Sequence, residues 1–290
     1  MKVVLFTNAR DEPHLREWAA HHLLLGFDAI VIYDHLSMRP LRADFAGFDP
    51  RVRVIPCTMS PPIKMPLMKM SALMAKQMGA DWMLYLDADE FLVLNTTAAA
   101  PAFMRQGIWG VKRWLAMIAG TSSDISQIAV NWLMYGTSGI KDELVFPRDL
   151  ILDRFVESDE TLDQHVKCFV RPGAVADAVN PHFYVLRSGA GRSIGAVDGR
   201  PYVAPFHTNV SNIPYYKAPA YIAHYVFQSE ATYRKRKLAL PRDDNGGMRG
   251  AIDEDCSHIH KQYCGRKNNQ LARSLYAKRV RGFLQQKYAS

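Results

Sequence analysis

Short apolar segments alternate with longer amphipathic ones through the first third of the chain, and this alternation limits the possible folds more than any other feature. In the amphipathic segments, apolar residues recur at helical spacing: Leu15, Trp18, Ala19 and Leu23 in one, and Leu67, Met70, Met74 and Met78 in another. Strands separated by helices at such distances predict βαβ units with parallel strands. We therefore expect an α/β fold with a mainly parallel central sheet and helices on both faces. The four predicted strands are Val3–Thr7, Ala29–Tyr33, Val52–Ile55 and Trp82–Leu86.

The composition is that of a folded globular protein, with 48% hydrophobic and 22% charged residues among 290. This length suits one large α/β domain with an extension. We expect the domain to span residues 1–225. The remainder, residues 226–290, is rich in basic residues such as those of Arg234–Lys237, and we expect a basic, helical C-terminal extension.

The chain has no apolar stretch of the roughly 20 residues that a membrane-spanning helix needs. Its first residues continue into polar ones without a small-residue cleavage site, which is typical of a strand and not of a signal peptide. We therefore expect a cytoplasmic protein. The basic extension could contact acidic lipid headgroups at the inner face of the membrane, although a solvated helical face is the alternative.

Late in the chain, cysteine and histidine residues gather in a short segment, in a spacing that matches no common zinc site. They could hold zinc, and the alternative is a polar surface segment. The four residues are Cys256, His258, His260 and Cys264.

Three acidic residues, Asp87, Asp89 and Glu90, directly follow the fourth predicted strand. Crowded carboxylates repel each other, and burial penalises each charge further, so the cluster needs a compensating cation. Asp87 and Asp89 are two apart in extended backbone and can point the same way. Mg²⁺ and Mn²⁺ prefer such oxygen ligands and also bind diphosphate oxygens. An isolated pair of this kind is more often an acidic turn, but its place at the end of a strand favours a metal and diphosphate site.

Other polar residues follow strands of the predicted sheet, namely Asp11 and Asp34. Ligands of parallel sheets bind beyond the carboxyl ends of the strands, so these residues point toward one edge. Lys64 and Lys69 enter the helix before the acidic motif and could contact phosphate, although solvated lysines are the alternative. On the first helix, we expect that the adjacent His21 and His22 cannot both face the core.

The order of several motifs resembles the family-2-like glycosyltransferases of the GT-A fold, particularly the branch related to family 92. The resemblance covers roughly residues 1 to 225. Its motifs are Asn8 with Glu12, Glu17-Trp18, His21-His22, Gly26, Tyr33-Asp34 with Ser37, Asp87–Phe91, Asn131-Trp132, Tyr135–Gly139, Arg154-Phe155, Lys167–Pro172 and His182. The chain departs from the family pattern at Tyr135, where the family has Phe, and in its opening loop, where Asp11 or Glu12 takes the place of a single Glu.

The resemblance implies a metal-dependent glycosyltransferase that moves a sugar from a UDP- or GDP-sugar to a glycan or lipid-linked acceptor, with inversion. It implies catalytic roles for Asp89 and Glu90, donor contacts from Asn8, Asp11, Glu12, Asp34, Lys69 and Asp87, and Mn²⁺ or Mg²⁺ ligation by Asp87, Asp89 and His182. A hydrogen-bonded structural histidine is the alternative for His182, and His224 is a second candidate ligand. An inverting enzyme also needs a base for the acceptor hydroxyl. Asp124, Asp142 and Glu143 flank the Trp132–Gly139 segment, and Asp142 is the candidate among them, with an ordinary surface residue as the alternative for each.

Two other functions remain open at this stage. A strand followed by two aspartates also occurs in phosphatases, in which Asp87 would be the nucleophile and Asp89 the acid or base. Phe91 departs from the residues usual there. The net charge of +8 alone would suit a nucleic-acid-binding protein, but no nucleic-acid module is visible, so no specific nucleic acid is expected.

Overall fold

The computed structural model describes residues 1–97, 99–105, 110–120, 124–207, 210, 212–248 and 267–288. The strands are β1 (Val3–Ala9), β2 (Ala29–His35), β3 (Val52–Cys57), β4 (Trp82–Tyr85), β5 (Glu90–Leu94), β6 (Ile125–Met134), β7 (Glu157–Ser158), β8 (Val166–Val170), β9 (Val175–Asn180), β10 (Phe183–Leu186), β11 (Arg192–Gly195), β12 (Ala220–His224) and β13 (Lys267–Asn268). The α-helices are α1 (Leu15–Leu24), α2 (Leu41–Asp44), α3 (Lys64–Gln77), α4 (Val111–Ala119), α5 (Ile151–Arg154), α6 (Glu230–Tyr233) and α7 (Lys278–Tyr288). Wider π turns, Arg234–Leu238 and Arg273–Ala277, follow α6 and precede α7.

Within the described residues, nine strands form one sheet in the order β3-β2-β1-β4-β8-β6-β12-β5, with β11 paired to β6. The first four strands in this order are parallel, and β8 lies antiparallel between β4 and β6. Strand β12 is parallel to β6, and β5 closes the edge in antiparallel pairing. The predicted α/β fold with a mainly parallel sheet is confirmed.

Alternate residues of β1 explain why helices cover both faces of the sheet. Val3 and Leu5 join the core on the α1 side, whereas Val4 and Phe6 join the core on the α3 side. Because both faces are buried, the strand is apolar at successive positions instead of alternating with polar residues. The helices predicted on both faces are confirmed.

The predicted apolar face of α3 was partly wrong. Leu67 is buried, but Met70 is 46% exposed and Met74 only partly buried. The buried face also carries Met68, Ser71, Ala72 and Ala75. The side chain of Met68 faces this core, whereas Met70, Met74 and Met78 lie at or outside its margin.

The expectation that His21 and His22 cannot both face the core is wrong, since both are fully buried. Helix α1 packs beside the edge strand β5 and also against α7, so a wide arc of its surface is covered. His21 Nε2 donates to the Leu92 carbonyl at 2.8 Å, and Leu92 N donates to His22 Nε2 at 3.3 Å. Trp18 Nε1 donates to the Glu90 carbonyl at 2.7 Å. These side chains satisfy backbone groups that an edge strand would otherwise leave unpaired.

The C-terminal segment packs into the same core as α1. Val280 and Leu284 of α7 are buried there, and the Tyr276 hydroxyl bonds both backbone groups of Leu94 at 2.8 and 2.9 Å. The proposed boundary between residues 225 and 226 stays a prediction. The candidate zinc residues Cys256, His258, His260 and Cys264 lie outside the described residues. In the described part of the chain, no helix has the length and apolar character to span a bilayer.

Candidate functional site

A cleft of about 220 Å³ opens where the carboxyl ends of β1, β4, β6 and β12 meet. Asn8 from β1, Trp132 from β6 and His224 from β12 line it. The loop from β4 to β5 contributes Asp87 and Asp89. The fold therefore gathers side chains from distant parts of the chain at the edge where parallel α/β sheets bind ligands.

Asp87 lies between two lysine ammonium groups. Lys64 forms an ion pair with Oδ1 and donates to Asn8 Oδ1 at 2.7 Å. Lys167 Nζ donates to Asp87 Oδ2 at 3.0 Å. Burial would raise the pKa of Asp87, but Lys167 and Lys64 hold that pKa well below its usual range. Asp87 is therefore a carboxylate with both oxygens engaged.

Glu90 holds the acidic loop in shape. Its Oε2 accepts a hydrogen bond from Asp87 N at 2.8 Å and lies 3.5 Å from Lys167 Nζ. Burial raises the pKa of Glu90 to about 8, despite Lys167. At neutral pH the side chain is then mostly protonated, so it does not add a full third charge to the cluster.

Asp89 differs from Asp87 in its partners. It is 2% exposed, so both of its oxygens face other side chains and not solvent. Lys237 Nζ forms an ion pair with Oδ2 at 2.5 Å, and His224 Nε2 lies 3.7 Å from Oδ1. Burial lowers the pKa of His224 to about 4, so this imidazole is neutral. A buried carboxylate facing a neutral imidazole is a donor pair that fits a divalent cation.

The segment after β12, residues 226–248, closes one side of the cleft, and we term it the basic strap. Arg236 forms an ion pair with Glu12, which is buried, and Lys237 does so with Asp89. Asp243 accepts a hydrogen bond from Asn8 Nδ2 at 2.6 Å. Cations of the strap thus form ion pairs with acids that precede β5 in the chain.

Two predicted donor contacts hold a neighbouring loop in place. Asp34 Oδ2 accepts from Leu41 N at 2.8 Å, and Asp11 Oδ1 accepts from Met38 N at 2.8 Å. These bonds order the backbone after β2. Donor binding by Asp11 and Asp34 stays a prediction.

Two other predicted site residues point elsewhere. Lys69 lies five residues after Lys64, about 140° further around α3, and its ammonium is 2.6 Å from Asp177 Oδ1 on the surface. Asp142 is exposed, beside Glu143, which pairs with Lys235. The helical rotation and the surface position explain why neither side chain reaches the cleft in this structure.

His182 lines the cleft, with its Nδ1 3.1 Å from the Val166 carbonyl. Its ring contacts Trp132 edge-on, at 5.0 Å between centroids. Among the described residues, no three His, Cys, Asp or Glu side chains converge as a metal-binding group. Ligation by Asp87, Asp89 and His182 together stays a prediction.

The sequence interpretation missed the cations of the cleft. Lys167 is nearly fully buried within the apolar strand β8, and a lysine in such a strand is a signal that it has a partner. The sequence offers both Lys64 and Lys69 as phosphate contacts, and only Lys64 reaches the cleft. Lys237 and Arg236 gave no such signal, because a run of basic residues usually forms a solvated surface.

No known protein-family profile and no curated protein matches the chain. Solved structures similar to it include TarS of S. aureus in complex with UDP, at 12% identity and a TM-score of 0.36, covering 60% of this chain and 48% of TarS. HddC of Yersinia pseudotuberculosis has 7% identity and a TM-score of 0.35, covering 67% of this chain and 90% of HddC. A 4-diphosphocytidyl-2C-methyl-D-erythritol synthase has 13% identity and a TM-score of 0.31, covering 60% and 77%. The chain spans about half the length of the TarS fragment that it matches.

Proposed function

We propose that this protein is a glycosyltransferase of the GT-A type that takes a sugar from a UDP- or GDP-sugar and transfers it to a glycan or lipid-linked acceptor. The observation that carries the proposal is the cleft itself, which combines a buried carboxylate suited to a metal with ammonium groups suited to phosphate. Lys64, Lys167 and Lys237 all reach the two aspartates of one motif. A diphosphate needs both kinds of partner.

In the proposed site, Asp89 and His224 would hold Mn²⁺ or Mg²⁺, which would neutralise charge on the departing diphosphate as a Lewis acid. Lys64 and Lys167 keep Asp87 ionised and add positive charge next to it. Asn8 lies between Lys64 and Asp243, at the end of the cleft where the nucleoside would lie. Positive charge held in place before the reaction stabilises a leaving group without reorganisation.

The direct test is ligand-induced thermal stabilisation. UDP, GDP, UDP-glucose and GDP-mannose are each added with and without Mn²⁺, and the unfolding temperature is measured. A ligand at 100 times its dissociation constant stabilises a protein by about 2.7 kcal/mol, so binding gives a clear shift. We expect stabilisation by one base series, and only with Mn²⁺.

Asp89→Asn is the informative variant because it keeps the shape of the side chain and removes its charge. We expect it to fold and to lose the Mn²⁺-dependent shift, whereas Asp44→Asn, at a partly exposed aspartate paired with Arg39, keeps it. An unchanged shift in Asp89→Asn would contradict the metal assignment. Absence of stabilisation by any of the four nucleotides would contradict the proposed function.

A further inference from the structure

Of the four described acids that line the cleft, Asp87, Asp89 and Asp244 are paired with cations, and Asp243 accepts a hydrogen bond from Asn8 Nδ2 at 2.6 Å. Both oxygens of Asp87 contact lysines, Asp89 pairs with Lys237, and Glu12 pairs with Arg236. A carboxylate held by a cation is a poor proton acceptor, because taking up a proton would break the ion pair. Transfer with inversion nevertheless needs a group that accepts the proton of the acceptor hydroxyl. A group outside the cluster of ion pairs is better suited to this role.

A histidine and an aspartate just before β8 have the required arrangement. His165 Nδ1 lies 2.6 Å from Asp163 Oδ1, which also accepts the backbone N–H of His165 at 2.8 Å. When Nδ1 donates its hydrogen to the carboxylate, the lone pair is left on Nε2. This is the geometry in which an aspartate orients a histidine for proton transfer. The His165 side chain is 35% exposed, so an acceptor can reach it.

The sheet places this pair beside the proposed diphosphate position. His165 precedes Lys167 by two residues, so both side chains lie on the same face, roughly 7 Å apart along the strand. Lys167 reaches Asp87, and the indole of Trp132 lines the cleft. The His165 ring stacks on that indole at 5.1 Å and 18°. His165 is therefore about one sugar ring away from the lysine that contacts the acidic motif.

The rings around His165 suit a carbohydrate acceptor. The Phe206 ring lies edge-on to His165 at 4.9 Å between centroids, and the rings of Trp132, His165 and Phe206 are only partly buried. Partly exposed rings offer an apolar surface to the C–H face of a sugar, while the nitrogen and carboxylate between them bind hydroxyl groups. The chemistry of this ledge, formed by Trp132, His165 and Phe206, matches that of a glycan.

We propose that His165, oriented by Asp163, is the base that activates the acceptor hydroxyl, and that the acceptor sugar lies on this ledge. The inference rests on the proposed transfer reaction. The acceptor oxygen forms a bond to the anomeric carbon, and the bond from that carbon to the diphosphate oxygen breaks. The diphosphate leaves with the bonding electron pair. The hydroxyl proton goes to Nε2 of His165, and Asp163 stabilises the resulting imidazolium.

The test uses water as the acceptor and the full chain as the enzyme. Release of nucleoside diphosphate is measured with Mn²⁺ and whichever of UDP-glucose, UDP-galactose, UDP-N-acetylglucosamine or GDP-mannose the native chain hydrolyses fastest. We expect His165→Gln to slow release by at least about 100-fold, while the dissociation constant for the nucleotide stays within about twofold. Imidazole added to His165→Ala should restore part of the rate. Gln164→Ala, at the exposed residue between the pair, should behave like the native chain.

The outcomes separate this inference from the proposed function. A His165→Gln variant that releases diphosphate at the native rate would overturn the inference while leaving the transferase assignment intact. A second outcome would also overturn the inference: the variant loses rate, added imidazole does not restore it, and nucleotide affinity falls by the same factor. The ring of His165 would then have a structural role. A native chain that binds neither UDP nor GDP would contradict the proposed function, and the inference with it.

Discussion

Two regions of the cleft carry opposite charges and are held in place by different means. One is the acidic rim, formed by Asp87 and Asp89, and the other is the basic strap. Residues 1–225 contain 22 basic and 22 acidic residues, so the whole surplus of eight positive charges lies in residues 226–290. At the rim, Asp87 and Asp89 directly follow β4, which pairs with β1. The strap reaches the same place through Arg236 and Lys237. Acids from one half of the chain thus receive part of their cations from the other.

The two regions differ in the contacts that hold them to the rest of the fold. The pairing of β4 with β1 and the two apolar cores hold the rim in place. Its acids therefore stay close together whether or not cations neutralise them. The strap segment Arg234–Leu238 has no fully buried residue, and apart from its ion pairs the strap is held by a small apolar cluster of Met134, Phe227 and Tyr233. We therefore expect a substitution at the rim to affect the whole fold, and one in the strap to affect mainly the local contact.

The largest effect is expected for Lys167→Met. This change removes one of the two cations of Asp87, whose side chain is 30% exposed, and the ammonium near the buried Glu90. Loss of one partner of a fully buried ion pair costs about 3–5 kcal/mol of unfolding free energy, and the partial exposure of Asp87 places this change at about 3 kcal/mol. Urea denaturation measured by fluorescence gives the value. A cost below about 1 kcal/mol would show that the rim is not held as tightly as its burial indicates.

The next effect concerns the histidine that supports the edge strand after the rim. Burial lowers the pKa of His21 to about 4 from an ordinary 6.5, so the folded protein binds fewer protons than the unfolded chain between these values. The stabilisation is complete above pH 6.5 and is lost as the pH falls toward 4, by up to roughly 3 kcal/mol. In His21→Gln, which keeps a donor for the Leu92 carbonyl, the part of this dependence that comes from His21 should disappear, while His22, His182 and His224, whose pKa values burial also lowers, keep theirs. Parallel stability curves for the two proteins from pH 7 to pH 4 would contradict the assignment.

A smaller effect is expected for Arg236→Met in the strap. Glu12 loses its cation, but it can take up a proton, because burial already raises the pKa of this carboxyl. We expect a cost of about 1–3 kcal/mol, below that of Lys167→Met. Hydrogen exchange should show faster exchange confined to the strap. An equal cost for the two variants would mean that the strap is as integral to the fold as the rim.

The smallest effect is expected for Lys235→Gln, the matched control within the strap. Its ammonium lies 3.3 Å from Glu143, with both side chains largely exposed, and such pairs contribute about 0–1 kcal/mol. We expect a change below about 0.5 kcal/mol by the same denaturation measurement. A larger cost would show that the strap is fastened at this outer pair as well as at the cleft.

Local sequence patterns determined the elements that build the rim. Strands β1 to β4 and helices α1 and α3 lie where the sequence predicted them, because apolar periodicity and Gly or Pro breaks act over a few residues. The place of the acidic motif followed from the same signals, since it directly succeeds an apolar strand. The outward face of α3 did not follow, because Met70 and Leu67 look alike to a hydrophobic pattern while only one of them meets the sheet.

The tertiary structure alone decided which charges meet. Lys167 and Lys237 contact the acidic motif although they lie far from it in the chain, and no local pattern distinguishes Lys64 from Lys69 as its partner. The burial of both His21 and His22 likewise depends on β5 and α7 covering one helix from two sides. The local sequence determines which face of a helix or strand a side chain occupies. The packing of the sheet determines which residue that side chain contacts. The sequence by itself therefore indicated where the carboxylates lie, and only the fold showed what neutralises them.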